Sequence, residues 1–419
     1  MIISKIKKAF CTLLAAAVAA VPLSLTACAP RDEVLKIYNW GDYIEESLIE
    51  EFEAWYFEET GENITVKYDT FDTNETMLTR IETQRADYDL VCPSDYIAER
   101  MIREGLAQKV DPDIFDITEN GLFYDTLLEM IRDSIDEKNE YFTPYVWGTV
   151  GIMYDVDYID PEGEFGELCN SWEAMWSDKW EKETGKKRVL MKDSVRDAYS
   201  VACIYANRDK LSEMTNGFTD YSSQEYRDEL ISYFSTVSDD SIALAQKALI
   251  DQKKVTHKYE VDDGKMDMVA GTTQAWLGVF WSCDPELIMI EDGGDHFYYT
   301  VPKEGSNVWI DGWLIPKYAK NTKAANYFLK FINTYDYAYA NFDYLGSSIA
   351  VVDVMEDAKA YFEEDEDGFF DDYYDGFKDM YIEMLFPSDE VLSRCAIMRD
   401  FGLKRNTDLD SMWIDVKTA

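Results

Sequence analysis

The sequence predicts an α/β protein of two domains, and three observations carry that reading. Strand-like and helix-like segments alternate from Val34 onward. The chain, 419 residues long, is longer than one hydrophobic core usually organises. Apolar residues make up 47% of it, enough to pack two cores. The first strand is "VLKIYNW", Val34 to Trp40. In the helix that follows, Ile44, Leu48, Ile49, Phe52, Trp55 and Tyr56 recur at helical spacing, and Gly61 supplies a stop. "NITVKYDTF" alternates Ile64, Val66 and Tyr68 as a second strand. A short helix opened by Asn74, the buried strand "YDLVCPS" and the helix "DYIAERMIREG", closed by Gly105, complete the unit. Such alternation implies a parallel sheet covered by helices.

The pattern resumes between about Tyr145 and Trp281. "SWEAMWSDKW" and "AYSVACIYANR" read as helices, "RVLMKD" as a strand, and "AWLGVFWSCD" as a hydrophobic strand finishing at Trp281. Tyr298 to Pro316, "YYTVPKEGSNVWIDGWLIP", reads as two extended segments around a Gly turn. Helices dominate the remainder. The strongest charge run is "EEDEDGFFDDYYDG", Glu363 to Gly376. As a calcium loop it fails, because its twelfth position is Tyr374 and not a bidentate Glu. A solvated acidic surface loop is expected there.

The N-terminus carries an address. Lys5, Lys7 and Lys8 precede an apolar stretch from Ala9 to Val21, and "LTAC" ends at Cys28. This order is that of a secretory signal, residues 1–27, and the small residues before Cys28 resemble a bacterial lipoprotein cleavage site. The apolar run is short for a membrane span and is interrupted by Pro22. A lipid on Cys28 would hold the mature chain at the outer face of a membrane, with residues 28–33 as a tether.

Composition narrows the partners. The formal net charge of −43 argues against nucleic acid, whose phosphates are bound by Lys and Arg, and favours cationic ligands. Beyond Cys28 the chain has Cys92, Cys169, Cys203, Cys283 and Cys395, odd in number and without a CxxC. Neither a disulfide framework nor a zinc site is expected. His257 and His296 have no partner at metal-ligand spacing. No cofactor or metal is expected.

In open α/β sheets ligands sit at the carboxyl ends of strands. Aromatic and carboxylate residues meet at four such predicted ends: Trp40, Asp42 and Tyr43; Asp95 and Tyr96, after Ser94; Trp281 and Asp284; Trp309 and Asp311. Any one cluster has an ordinary explanation as core packing or helix capping. Their recurrence is the signal. Buried ammonium must be paired and hydrogen-bonded, and an aromatic face attracts a cation by roughly 0.5–2 kcal/mol per contact. Aromatic rings beside carboxylates at these ends suit a cationic ligand.

The blocks "LKIYNWGDYI", "NETM", "YDLVCPSDYIAERMIREGLAQKVD", "YFTPYVWGTVGIMYD", "SWEAMWS", "VPKEGSNVWIDGWLIP" and "AANYFLKFI" resemble, in the same order, those of the polyamine-binding proteins of ATP-driven spermidine/putrescine importers. The resemblance runs from about Val34 to Val416. It implies a two-lobe periplasmic-binding-protein-like (type II) fold with hinge crossovers and an interlobe ligand cleft. One lobe would comprise 34–142 plus about 311–355, the other 143–310 plus about 356–419, with hinges near Pro144 and in "VPKEGSNVWID". By matching motif, Trp40, Asp42 and Tyr43 would form a wall and a charge partner. Ser94 and Tyr96 would supply hydroxyls, and Trp281 would stack in the second lobe. Trp309 and Asp311 would sit beside the hinge, and Asp197 matches a carboxylate position. Ser194 and Ser347 depart from the spermidine pattern, whereas Asp284, three residues after Trp281, resembles the putrescine-preferring members. A putrescine-like diamine is therefore expected to bind better than spermidine. A monomeric, lipid-anchored extracytoplasmic receptor serving an ABC permease is the reading that results, and no enzyme activity is expected. A sugar receptor of the same fold and a secreted glycosidase with paired carboxylates are the alternatives.

Overall fold

The computed structural model describes residues 30–260, 263–291 and 293–419. The expected secretory signal and Cys28 lie outside the described residues. Strand β1 (Val34–Trp40) opens the fold and is followed by helix α1 (Ser47–Thr60). Leu48, Phe52 and Tyr56 form its buried stripe. Gly61 ends α1 in the left-handed region at φ 71°, its N–H bonded to the Phe57 carbonyl. Then come β2 (Thr65–Phe71), α2 (Asn74–Glu82), β3 (Leu90–Val91), α3 (Asp95–Arg103) and β4 (Ala107–Gln108). The first sheet is three-stranded, in the order β2-β1-β3, and both pairings are parallel, as the alternation implies. The buried strand read in "YDLVCPS" is shorter than expected, with only Leu90 and Val91 laddered. The cap of α2 is Thr73, whose side chain accepts from the Thr76 N–H. Asn74 is thus one residue inside the helix, and its amide is free for another task.

Strand β5 (Thr143–Asp155) is buried along its whole length. Beyond it lie β6 (Val189–Lys192), α4 (Val195–Ala206), α5 (Asp239–Gln252), β7 (Thr256–Glu260), β8 (Leu277–Trp281), α6 (Cys283–Glu291), β9 (Phe297–Thr300), β10 (Ser306–Trp313) and β11 (Ile315–Pro316). The chain finishes through α7 (Thr322–Ile332), α8 (Phe377–Leu385), β12 (Cys395–Ile397) and α9 (Leu403–Thr418). The second sheet has seven strands in the order β12-β10-β5-β8-β6-β7, with β9 also on β5. It is mixed and not purely parallel, because β5 runs antiparallel to β8, β9 and β10. The two segments around Gly305 do not pair with each other. They lie one after the other along the same partner, β9 on Ile152–Asp155 and β10 on Thr143–Thr149.

Strand β10 belongs to both halves. Its start pairs with β12, while just beyond its end Leu314 bridges Val91 of the first sheet, and Asp311 bridges Ser94. The β5–β10 pair is therefore the seam between two lobes. One core joins the first sheet, α1 and α7, where Phe52 meets Phe328 edge-on at 5.1 Å. Another lies under α4, α5 and α9 against the second sheet. The acidic run is not wholly solvated. Phe370 is buried in the larger core, Tyr373 stacks on Phe377 of α8 at 4.1 Å, and the Tyr374 hydroxyl donates to the Phe297 carbonyl at 2.9 Å. Among the described residues no helix is long and apolar enough to cross a membrane.

The seam tolerates little bulk at Gly148. A Cβ there would lie 2.7 Å from Trp309 Cζ2 and also against the Ser282 hydroxyl. Gly148→Ala should lower stability by about 1–3 kcal/mol through overpacking, seen as a reduced Tm with an unchanged far-UV spectrum.

A candidate interlobe site for a cationic ligand

The strand ends of both sheets converge at the seam. Asp311, on β10, accepts a hydrogen bond from the Tyr43 hydroxyl at 2.9 Å and is also hydrogen-bonded to the Ser94 side chain. Ser94 occupies the N-cap position of α3, yet its hydroxyl makes no capping bond. It takes the Asn74 amide instead, at 3.0 Å, and the same amide reaches the Tyr96 hydroxyl at 3.1 Å. Asn74 thereby fixes two hydroxyls on one side of the cleft. Tyr43 is held in turn by Tyr145, whose hydroxyl donates to the Tyr43 carbonyl at 2.8 Å and whose ring meets Tyr43 edge-on. Trp309 lies over Gly148 and donates its indole N–H to the Thr149 carbonyl at 3.2 Å. That carbonyl also receives the Ser282 N–H at 2.8 Å, which ties Trp309 to the end of β8.

No lysine or arginine pairs with Asp311 among the described residues. Burial pushes its carboxyl up to about 6, with the Ser94 and Tyr43 hydroxyls opposing. Nearby Asp95, buried, accepts the Tyr96 N–H at 2.6 Å and the Ile310 N–H at 3.3 Å. Burial raises its carboxyl well above the usual range, and Asp311 adds to that rise.

A second station lies on the other lobe. Asp284, at the start of α6, is paired through Oδ2 with the buried Lys192 at 2.8 Å and through Oδ1 with Lys265. Burial opposes ionisation here, but the two lysines prevail and hold the carboxyl below its usual value. The Lys192 ammonium lies 3.3 Å from the centroid of a Trp281 ring. Asp197, on α4, is buried and hydrogen-bonded with the Trp281 and Ser194 side chains. Ser194 caps α4 by accepting the Asp197 N–H. One turn into α6, Glu286 is 1% exposed and, among the described residues, has only the Ser347 side chain as a hydrogen-bonding neighbour. Burial raises it well above the usual range, the nearby Ser347 hydroxyl offsetting a little.

The ten residues expected at the site are thus distributed unevenly. Tyr43, Ser94 and Asp311 gather at one station, with Trp309 two residues earlier on β10, and Asp197, Trp281 and Asp284 at another. Trp40 packs against Phe71 at 4.4 Å with its indole N–H unpartnered. Tyr96 lines up with Ser94, but its ring is covered by the Arg196 guanidinium at 4.0 Å. Asp42 is exposed in a left-handed turn, φ 49°, and makes no ion pair among the described residues. Sequence reasoning passed over Asn74, Lys192, Lys265 and Glu286. The motif "LMKD" held the one signal, a lysine closing a buried strand. The lobes also meet through Arg103–Asp400 at 2.5 Å and Arg399–Glu99 at 2.8 Å. A separate depression of about 500 Å³, bordered by Ser171, Arg208, Phe218 and Lys303, shares no lining residue with these stations.

Two lobes bridged by shared strands, with polar and aromatic side chains converging between them, define a two-lobed binding protein of the periplasmic type II fold. The chain belongs to the bacterial extracellular solute-binding protein family, whose model matches residues 47–367. It is 29% identical over 322 residues to the spermidine/putrescine-binding periplasmic protein of Salmonella typhimurium, covering 77% of each chain. It is 27% identical over 334 residues to the putrescine-binding periplasmic protein PotF of Escherichia coli, covering 78% of this chain and 80% of that one. Among solved structures it resembles the spermidine/putrescine ABC transporter substrate-binding protein PotD of Streptococcus pneumoniae, in complex with calcium and HEPES. There the TM-score is 0.67 at 25% identity, over 92% of this chain and 99% of the other. The family is one of binding proteins, not enzymes.

Because Asp311 is held at about 6, above its ordinary 3.8, the folded chain retains that proton more tightly than the unfolded one. The associated stability is complete below about pH 4 and is lost as pH rises through 6. Asp311→Asn should flatten that fall, worth up to about 3 kcal/mol, in urea unfolding at pH 4 and pH 7.

Proposed function

We propose that this chain is an extracellular receptor that captures a polyamine in the interlobe cleft and delivers it to an ABC importer. A short diamine such as putrescine is favoured over spermidine, and a lipid at Cys28 anchors the receptor to the membrane. The observation that carries this reading is Asp311. It is a largely desolvated carboxylate that accepts from Tyr43, with hydroxyls fixed around it and, among the described residues, no basic side chain paired to it. An ammonium group would supply the missing positive charge, and the rings would cover the first methylenes. The relatives, a spermidine/putrescine-binding and a putrescine-binding protein, support the same class of ligand, as does the net charge of −43.

Capture works by closure. A ligand shifts the open and closed populations only by its differential affinity for them. An ammonium on Asp311 touches β10, which both lobes share, and Tyr43 and Ser94 from the first lobe. Contacts to the second lobe then stabilise the closed form.

Calorimetric titration with putrescine, cadaverine, spermidine and spermine tests the reading. Putrescine should bind more tightly than spermidine. Tighter spermidine binding overturns the preference, and no binding by any of the four overturns the receptor assignment. Asp311→Asn should abolish or severely weaken binding while leaving the fold intact. Ammonium binding requires ionised Asp311, so it expels a proton when pH is below the free-state value. Affinity should therefore fall by up to about tenfold per pH unit below about 6. A flat profile from pH 7.5 to 5 would remove Asp311 from the site.

A further inference from the structure

The second station already contains a cation. Lys192 ends β6, whose parallel register with β8 runs Val189 with Leu277 and Leu190 with Gly278. Two residues further on, its side chain reaches over the tip of β8. The ammonium lies 3.3 Å from one Trp281 ring centroid and 5.7 Å from that of Phe280, and it donates to Asp284 Oδ2 at 2.8 Å. Lys192 is 1% exposed. An aromatic face and a carboxylate are the two groups that recognise an alkylammonium ion. Here both are used by an alkylammonium belonging to the protein itself. Lys265 takes the other oxygen of Asp284, so the carboxylate has both oxygens engaged.

We infer that Lys192 is a tethered ammonium that fills the Trp281–Asp284 station and thereby sets the length of ligand the cleft accepts. The inference rests on the polyamine reading above and deepens it. A ligand anchored at Asp311 cannot also place a terminal ammonium on Asp284 without displacing Lys192. Displacement would strand the lysine in a buried site, a costly arrangement for an unpaired charge. A diamine that stops short of Trp281 avoids that cost, whereas a longer triamine runs into it. Specificity then comes from an occupied subsite and not from a missing contact.

Two experiments test this. In the first, Lys192→Ala is titrated by calorimetry with putrescine and spermidine. Removal of the side chain frees Asp284 Oδ2 and the Trp281 face while Lys265 still pairs with Oδ1. The spermidine-to-putrescine affinity ratio should rise at least tenfold. A folded variant with an unchanged ratio overturns the inference. The second uses the wild-type protein, so it stands even if the variant does not fold. Reductive methylation is read by peptide mass spectrometry with and without saturating putrescine. Lys192 should stay unmodified in both, while exposed lysines such as Lys254 react. Methylation of Lys192 that appears on putrescine binding shows displacement and overturns the inference. Failure of the wild type to bind any amine, in contrast, sinks the polyamine reading from which the inference starts.

Discussion

The β5–β10 pairing is the constraint on which the rest of the molecule depends. Its ladder runs from Val308–Thr149 to Trp313–Thr143 with one irregularity at Asp311/Gly312. Both strands are nearly buried throughout, so their backbone groups need partners within the protein. Each strand finds them in the other, and β10 also bridges to the first sheet through Leu314 and Asp311. The irregularity falls beside the carboxylate that faces Tyr43. Asp311 pairs with Val146 and Gly312 with Pro144, so the residue left over is Tyr145 of β5, whose hydroxyl donates to the Tyr43 carbonyl. The joint between the lobes and the proposed ammonium site are thus one piece of backbone.

The two central aspartates show how environment, and not residue type, decides charge. Asp311 and Asp284 are both desolvated. Asp284 has two lysines beside it and stays ionised. Asp311 has only hydroxyls and its carboxyl holds its proton more strongly. A receptor for cations needs some carboxylates that the protein has not already neutralised. The contrast separates the carboxylate of the proposed ammonium site from one that the protein has itself neutralised.

Much of the architecture was legible because local signals and tertiary context agree. The apolar stripe Leu48–Phe52–Tyr56 and Gly61 mark α1, and alternation marks β2. The terminus of β8 falls at Trp281 as read. The mixed second sheet was not legible, since strand direction depends on how the chain returns across the seam. Neither was the burial of Phe370 and Tyr373 in a stretch dominated by Asp and Glu, where charge outweighs the aromatic signal. At the site, Tyr43, Ser94 and Asp311 come together, although some 268 positions separate Tyr43 from Asp311. Asp42 stands exposed at a turn, since its neighbour Tyr43 is the side chain that reaches Asp311. Lys192 escaped notice because nothing in "RVLMKD" indicates that the lysine's partner lies 92 residues away at Asp284. Asn74 was read as a helix opener, but Thr73 does that work and leaves the amide to organise Ser94 and Tyr96.

Two cysteines lie near Tyr43. Cys92 follows β3 of the first sheet and Cys283 opens α6 on the second, and both lie close enough to Tyr43 to influence its hydroxyl. Burial raises both thiols well above their usual range, so neither is a ready nucleophile while the halves are together. Cys92 is fully buried in the core built on the first sheet, whereas Cys283 is only partly buried.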